Sequence, residues 1–196
     1  MKSVYNFVVT PIGERYNNTK KIGDKELVLN TEIFNHQYVN RLAEVISTPI
    51  IGSTDIKAGD TVIVHHNVFR RWHNQRGEEK NSRSYFNEKT YFINSDQIFL
   101  YKSSGKWRVP NGYCFVQPLK NKDAFDTNIE QPLIGIVKYS DGTVNNGDLV
   151  GFKPGSEYEF IIDNKRLYRV LSNLITIKYE YQGDEEEYNP SWAESS

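Results

Sequence analysis

One local pattern limits the possible folds of this chain more than any other. Ala58-Gly59-Asp60 leads into the apolar run Thr61-Val62-Ile63-Val64, and Asn146-Gly147-Asp148 leads into Leu149-Val150-Gly151-Phe152. Glycine relieves the backbone in a tight turn, and aspartate hydrogen-bonds the neighbouring main chain. The β-branched residues that follow favour a strand over a helix. Three further blocks recur in the same order. Val8-Val9-Thr10-Pro11-Ile12 matches Phe115-Val116-Gln117-Pro118-Leu119, and Leu42-Ala43-Glu44-Val45 matches Ile134-Gly135-Ile136-Val137. Tyr91-Phe92-Ile93, with Ser95 and Ile98 behind it, matches Tyr168-Arg169-Val170, with Ser172 and Ile175. Four blocks in one order predict a unit present twice.

The 196 residues suffice for two small domains, and 13% aromatic content with abundant Val, Ile and Thr points to an all-β class. The expected division is a first unit over 1–104, a second over 112–180, and a flexible acidic tail over 181–196 that carries Asp184-Glu185-Glu186-Glu187. The predicted cores include Val62, Val64, Ile98, Val116, Val137, Val150 and Ile175. The long polar stretch 14–40 reads as a functional or disordered loop. Within it, Leu27-Val28-Leu29 is an apolar run that reads either as a binding segment or as a short edge strand.

No catalytic constellation stands out, so an enzyme is not expected. His65, His66 and His73 raise the question of a metal, but neighbours on a strand point to opposite faces, so none is expected. Cys114 lies in an alternating apolar stretch and reads as a buried thiol. Arg70-Arg71-Trp72 could hold a phosphate or stack on a base; a strand end or subunit contact with snorkelling arginines is the favoured reading. A net charge of −1 gives no global case for nucleic acid or for an anionic membrane. No glycine-rich loop precedes a helix, so no nucleotide cofactor is expected. Lacking a long apolar span, the chain is expected to be soluble and cytoplasmic.

Taken together, the blocks resemble the GroES-like co-chaperonin family. Its unit has an opening strand ending in Pro, a long mobile loop, a short Gly- or Ala-containing strand, a Gly-Asp turn with an apolar strand, and a Tyr-rich closing segment. The opening strands here are Phe7-Val8-Val9-Thr10-Pro11 and Phe115-Val116-Gln117-Pro118. The closing steps are Asp96-Gln97-Ile98 and Asn173-Leu174-Ile175. The likeness covers residues 5–101 and 112–180. It implies two tandem small β-barrels and a lid that assists protein folding. It also implies docking on an ATP-dependent chaperonin through Leu27, Val28 and Leu29. The second unit has no such tripeptide between Lys120 and Gln131.

The same resemblance implies a homo-oligomeric ring closed by edge strands, with Val4–Thr10 and Leu174–Tyr179 as candidates. Length, Asn- and Tyr-rich composition and fused barrels resemble phage-encoded versions. The competing expectation is a virion structural or assembly protein that reuses the barrels without contacting a chaperonin.

Overall fold

A computed structural model of the chain describes residues 3–16, 19–28, 39–110, 112–122 and 129–194. The described residues hold strands and short 3-10 turns, with no α-helix among them. The chain divides into two units, Met1–Trp107 and Arg108–Ser196. The division lies three residues beyond the expected 104, because the Ser104-Gly105 turn folds the chain back onto the first sheet as another strand.

The first unit has strands β1 (Phe7–Pro11), β2 (Thr19–Ile22), β3 (Lys25–Val28), β4 (Leu42–Ser47), β5 (Thr61–Val64) and β6 (Arg71–His73). It continues with β7 (Glu79–Asn81), β8 (Tyr85–Asn87), β9 (Thr90–Ile93), β10 (Ile98–Ser103) and β11 (Lys106–Arg108). Its main sheet has the order β11-β10-β5-β4-β1-β9-β8, while β2-β3 and β6-β7 form separate two-stranded sheets. The second unit has β12 (Tyr113–Lys120), β13 (Glu130–Ser140), β14 (Leu149–Phe152), β15 (Tyr158–Ile162), β16 (Lys165–Leu171) and β17 (Ile175–Tyr179). Its sheet has the order β15-β16-β12-β13-β14-β17.

These orders state the internal repeat in three dimensions. With β11 set aside, β10-β5-β4-β1-β9-β8 corresponds strand for strand to β17-β14-β13-β12-β16-β15. The ladders of this shared order are antiparallel in both units. Registers agree as well. Val9 faces Val45 and Tyr91, as Val116 faces Val137 and Tyr168. Ala43 faces Val62, as Gly135 faces Val150. A ladder irregularity falls between Val8 and Val9, and another between Phe115 and Val116. A 3-10 turn precedes each last core strand, at Ser95–Gln97 and at Ser172–Leu174.

The all-β expectation holds, and the described strands form antiparallel sheets. No ladder among the described strands joins the ends of either sheet. The terminal strands β8 and β11 have three residues each, which offers little backbone for closure. The opening strand is also internal: β1 pairs with β4 on one side and β9 on the other. It therefore has no open edge for a neighbouring subunit. By contrast, among the described residues β17 pairs on one side only, with β14.

Burial alternates along β4 and β9 but is continuous over Val62–Val64, Ile98–Tyr101, Cys114–Leu119 and Leu149–Phe152, strands covered on both faces. Val9, Val45, Val62, Val64, Tyr91, Ile93 and Ile98 share one buried cluster in the first unit. Val116, Val137, Val150, Phe152 and Val170 form its counterpart in the second. Of the predicted core residues, Ile175 is only partly buried, because β17 lies at the sheet edge. The second unit needs glycine at 135: a Cβ there would meet the Gln117 carbonyl oxygen at 2.7 Å. The Asp163-Asn164 pair has positive φ at both residues, as a two-residue hairpin turn between β15 and β16 requires.

Within residues 181–194, read from sequence as a flexible acidic tail, Glu186–Tyr188 run beside the end of β12. The Lys120 amide donates to the Glu186 carbonyl at 2.8 Å and the Tyr188 amide to the Pro118 carbonyl at 2.8 Å. Beyond Val116 the ladder to β16 has ended, so the returning segment satisfies backbone groups that β16 leaves open. Its acids meet lysines: Asp184 pairs with Lys122, Glu186 with Lys120, and Glu187 with Lys138. Ala193 is fully buried.

The two Gly-Asp turns should be equivalent in energy as well as in shape. Gly59 and Gly147 have φ of 89° and 92°, so alanine at either strains the backbone. Gly59→Ala and Gly147→Ala are each expected to lower unfolding stability by about 1–3 kcal/mol, measured by urea denaturation. A wild-type midpoint in either variant would contradict the equivalence.

Candidate functional site

Equal scaffolds make the differences between the units informative. The first unit carries two additions. The β1–β4 connection contains the hairpin β2–β3, and the β5–β8 connection contains the hairpin β6–β7. The second unit joins β14 to β15 over residues 153–157 alone. Connections held on a rigid scaffold are where binding functions concentrate.

The β2–β3 hairpin turns at Gly23-Asp24, where Gly23 has a φ of 61°. Thr19 faces Val28 and Lys20 faces Leu27. Leu27 is 52% exposed, so much of an apolar side chain faces solvent. Val28 ends the strand, and Leu29 lies outside the described residues. The sequence stretch therefore contains a hairpin where a structureless loop was one reading. It also differs from an edge strand of the main sheet, because β2 and β3 pair only with each other among the described residues. A two-stranded ribbon alone is marginally stable in water, so the hairpin depends on what holds its base.

That base is held by a polar clamp. The buried Asn40 side chain donates to the carbonyls of Ile12 and Glu14, both at 2.8 Å, and accepts the Leu42 amide at 2.8 Å. The Asn40 amide donates to the Arg15 carbonyl at 2.9 Å, and Tyr16 bridges to Val39. The Arg15 guanidinium is nearly buried. Its Nε and Nη2 donate to the Phe69 carbonyl at 3.2 and 3.1 Å. It also lies over the rings of Tyr85 and Tyr91, 5.2 and 5.7 Å from their centroids. The Tyr16 hydroxyl accepts the Arg71 amide at 2.7 Å, and the Arg71 guanidinium lies 5.0 Å from the Tyr16 ring centroid. Arg15 and Tyr16 thus tie the root of the first hairpin to the root of the second.

The second unit has an arginine–tyrosine contact of its own. Arg166, from β16, lies over the repeat tyrosine Tyr168 at 4.8 Å. Its Nη1 donates to Glu130, at the start of β13, at 2.5 Å, and its Nε to Glu159 at 2.6 Å. The Tyr168 hydroxyl donates to Glu130 at 2.6 Å. Burial and this bond to a carboxylate push the Tyr168 pKa up.

The other residues singled out in sequence fall in separate places. His65 and His66 do not sit on a strand: His65 caps the 3-10 turn His66–Val68, and the two rings come within 4.3 Å. The opposed faces expected of them are therefore corrected. His65 Nδ1 accepts the Asn67 amide at 3.0 Å, and among the described residues no group of three or more His, Cys, Asp or Glu is placed to hold a metal ion. Cys114 is buried, with its Sγ 3.4 Å from the Ser172 hydroxyl. Ser172 in turn donates to Asp141 at 2.7 Å. Burial opposes the Asp141 charge, but bonds from Thr143, Ser172 and Gly112 hold its pKa below the usual aspartate range. This cluster fastens turns to strand ends. Arg71 and Trp72 begin β6, where Arg71 faces Asn81 and Trp72 faces Lys80. No helix among the described residues is long and apolar enough to cross a membrane.

No protein-family model matches this chain, and no curated protein is significantly similar to it in sequence.

Two outcomes follow from the clamp. Arg15→Met removes hydrogen bonds from a charged donor and is expected to cost about 1.5–3 kcal/mol, with faster amide exchange over 19–28. Unchanged exchange there would show that the clamp does not govern the hairpin. The Tyr91 hydroxyl is buried without a hydrogen-bond partner among the described residues, and burial pushes its pKa up to about 12. As pH rises past 10 the unfolded chain ionises first, so this stabilisation is whole below pH 10 and is lost towards 12. Tyr91→Phe should keep full stability at pH 7 and flatten that alkaline loss in urea titrations. Destabilisation at pH 7 would reveal an unseen partner.

Proposed function

We propose that this chain is a co-chaperonin-like lid protein. In this reading each unit is a GroES-like module, and the β2–β3 hairpin docks on an ATP-dependent chaperonin through Leu27, Val28 and Leu29. The observation that carries the reading is the position of Leu27: an exposed apolar residue on a hairpin whose root is fixed to the scaffold. The repeated strand order and the repeated Gly-Asp turns support the modular part. The absence of a tripeptide of this kind from the second unit's 121–129 connection gives one docking segment per chain.

The energetics suit reversible capture. Burying a fully exposed side chain of this size contributes roughly 1.5–3 kcal/mol, so the exposed half of Leu27 offers about 1 kcal/mol. Ordering the segment offsets part of that. A homo-oligomeric ring of such chains regains affinity by avidity, while each contact stays weak enough to release. The ring would use β17, whose outer edge presents exposed Ile177 and Tyr179; β1 is already paired on both sides.

Val28→Asp is expected to abolish co-elution with a purified chaperonin in ATP, while the circular dichroism spectrum and oligomer size stay unchanged. Capture by the variant equal to wild type would remove the lid reading and favour a virion structural or assembly protein built from the same modules. A misfolded variant would place the tripeptide in the structural core, and Leu27→Asp, at a half-exposed position, then repeats the test.

A further inference from the structure

The second hairpin carries a feature that the lid reading does not use. Asn67, Arg70, Trp72 and Ser82 line an open cavity of about 400 Å³. That lies within the range of small-molecule sites. Arg70 Nε is buried and has no hydrogen-bond partner, and the Arg70 side chain has no ion pair among the described residues. Arg70 is half-buried and brings a positive charge to the cavity wall. The acids of this hairpin are already engaged: Glu79 with Arg71 at 3.3 Å and Glu78 with Lys80 at 3.0 Å. Trp72 is 43% exposed, which leaves indole surface available for stacking. Asn67 adds an exposed carboxamide, and the Ser82 hydroxyl, which donates to the Val68 carbonyl at 2.6 Å, keeps its acceptor lone pairs.

The cavity is also pre-organised. The residues on either side of Arg70 are fixed from outside the hairpin. The Phe69 carbonyl is held by Arg15, and the Arg71 amide by Tyr16. Little backbone freedom would be lost when a ligand engages Arg70, which favours affinity.

We propose that this cavity binds a planar heterocycle bearing a phosphate, of which a nucleoside monophosphate is the simplest form. The phosphate would accept from the Arg70 guanidinium, whose fork suits two oxygens at once. The heterocycle would stack on Trp72 and exchange hydrogen bonds with Asn67 and Ser82. The site belongs to the first unit alone, because the short 153–157 connection of the second has no such hairpin. The proposal does not rest on the lid reading.

Isothermal titration of the full chain with adenosine monophosphate tests it, with adenosine, inorganic phosphate and a single-stranded oligoadenylate as comparisons. The expected result is saturable binding of the monophosphate, with adenosine and phosphate each weaker by roughly tenfold or more. Arg70→Gln and Trp72→Ala should each weaken the monophosphate by about the same factor, and Trp107→Phe should not. Asn67→Ala, at an exposed position, gives a smaller loss and serves if either main variant unfolds. No saturable binding at millimolar monophosphate, equal binding by Arg70→Gln, or phosphate binding as tight as the monophosphate would overturn the proposal. Binding of the oligonucleotide alone would overturn it too, and would make the hairpin a nucleic-acid surface.

Discussion

Both units depend on the hydrogen bonds made around a Gly-Asp turn. In the first, the Gly59 amide donates to the Val45 carbonyl at 2.7 Å and the Val45 amide to the Asp60 carbonyl at 2.9 Å. In the second, Gly147, Val137 and Asp148 repeat those bonds at the same lengths. The aspartate carboxylates also accept a backbone amide three residues earlier, from Lys57 at 2.8 Å and Asn145 at 3.0 Å. These bonds lock the third core strand against the second and fix its register. A one-residue slip would move Val62 and Val150 off the face that packs their core clusters. The left-handed glycine, the aspartate and the β-branched run form one structural unit for that reason.

That dependence explains what the sequence revealed. Turn chemistry and apolar strand runs act over a few residues, so all four repeated blocks could be aligned, and the structure places them at matching registers. The root of the first hairpin was not legible. Asn40 reaches Ile12, and Arg15 reaches Phe69 across 54 positions, and neither pairing leaves a local signature. The lysine partners of the acidic segment, on β12, β13 and their connection, leave no local signature either. His65 and His66 were read on a strand because nothing in Val64-His65-His66 marks the start of a 3-10 turn.

Duplication followed by asymmetric growth gives a physical account of the chain. The second unit keeps its connections short and covers the end of β12 with its own final segment. The first unit extends two connections into hairpins and joins their roots through Arg15 and Tyr16. Arginine–tyrosine contacts occur in both units, buried at the hairpin root in one and half-buried on β16 in the other. Specialised surface is thereby concentrated on one copy of the fold while the other remains close to the bare scaffold.

The proposed function makes the first hairpin the docking element and the remaining scaffold its support. Hydrogen–deuterium exchange of the full chain, alone and mixed with a chaperonin and ATP, tests this most directly. The account predicts new protection concentrated in peptides covering 19–28, with the second unit unchanged apart from subunit contacts at β17. Protection confined to the second unit, or none anywhere under conditions where a known co-chaperonin is captured, would contradict it.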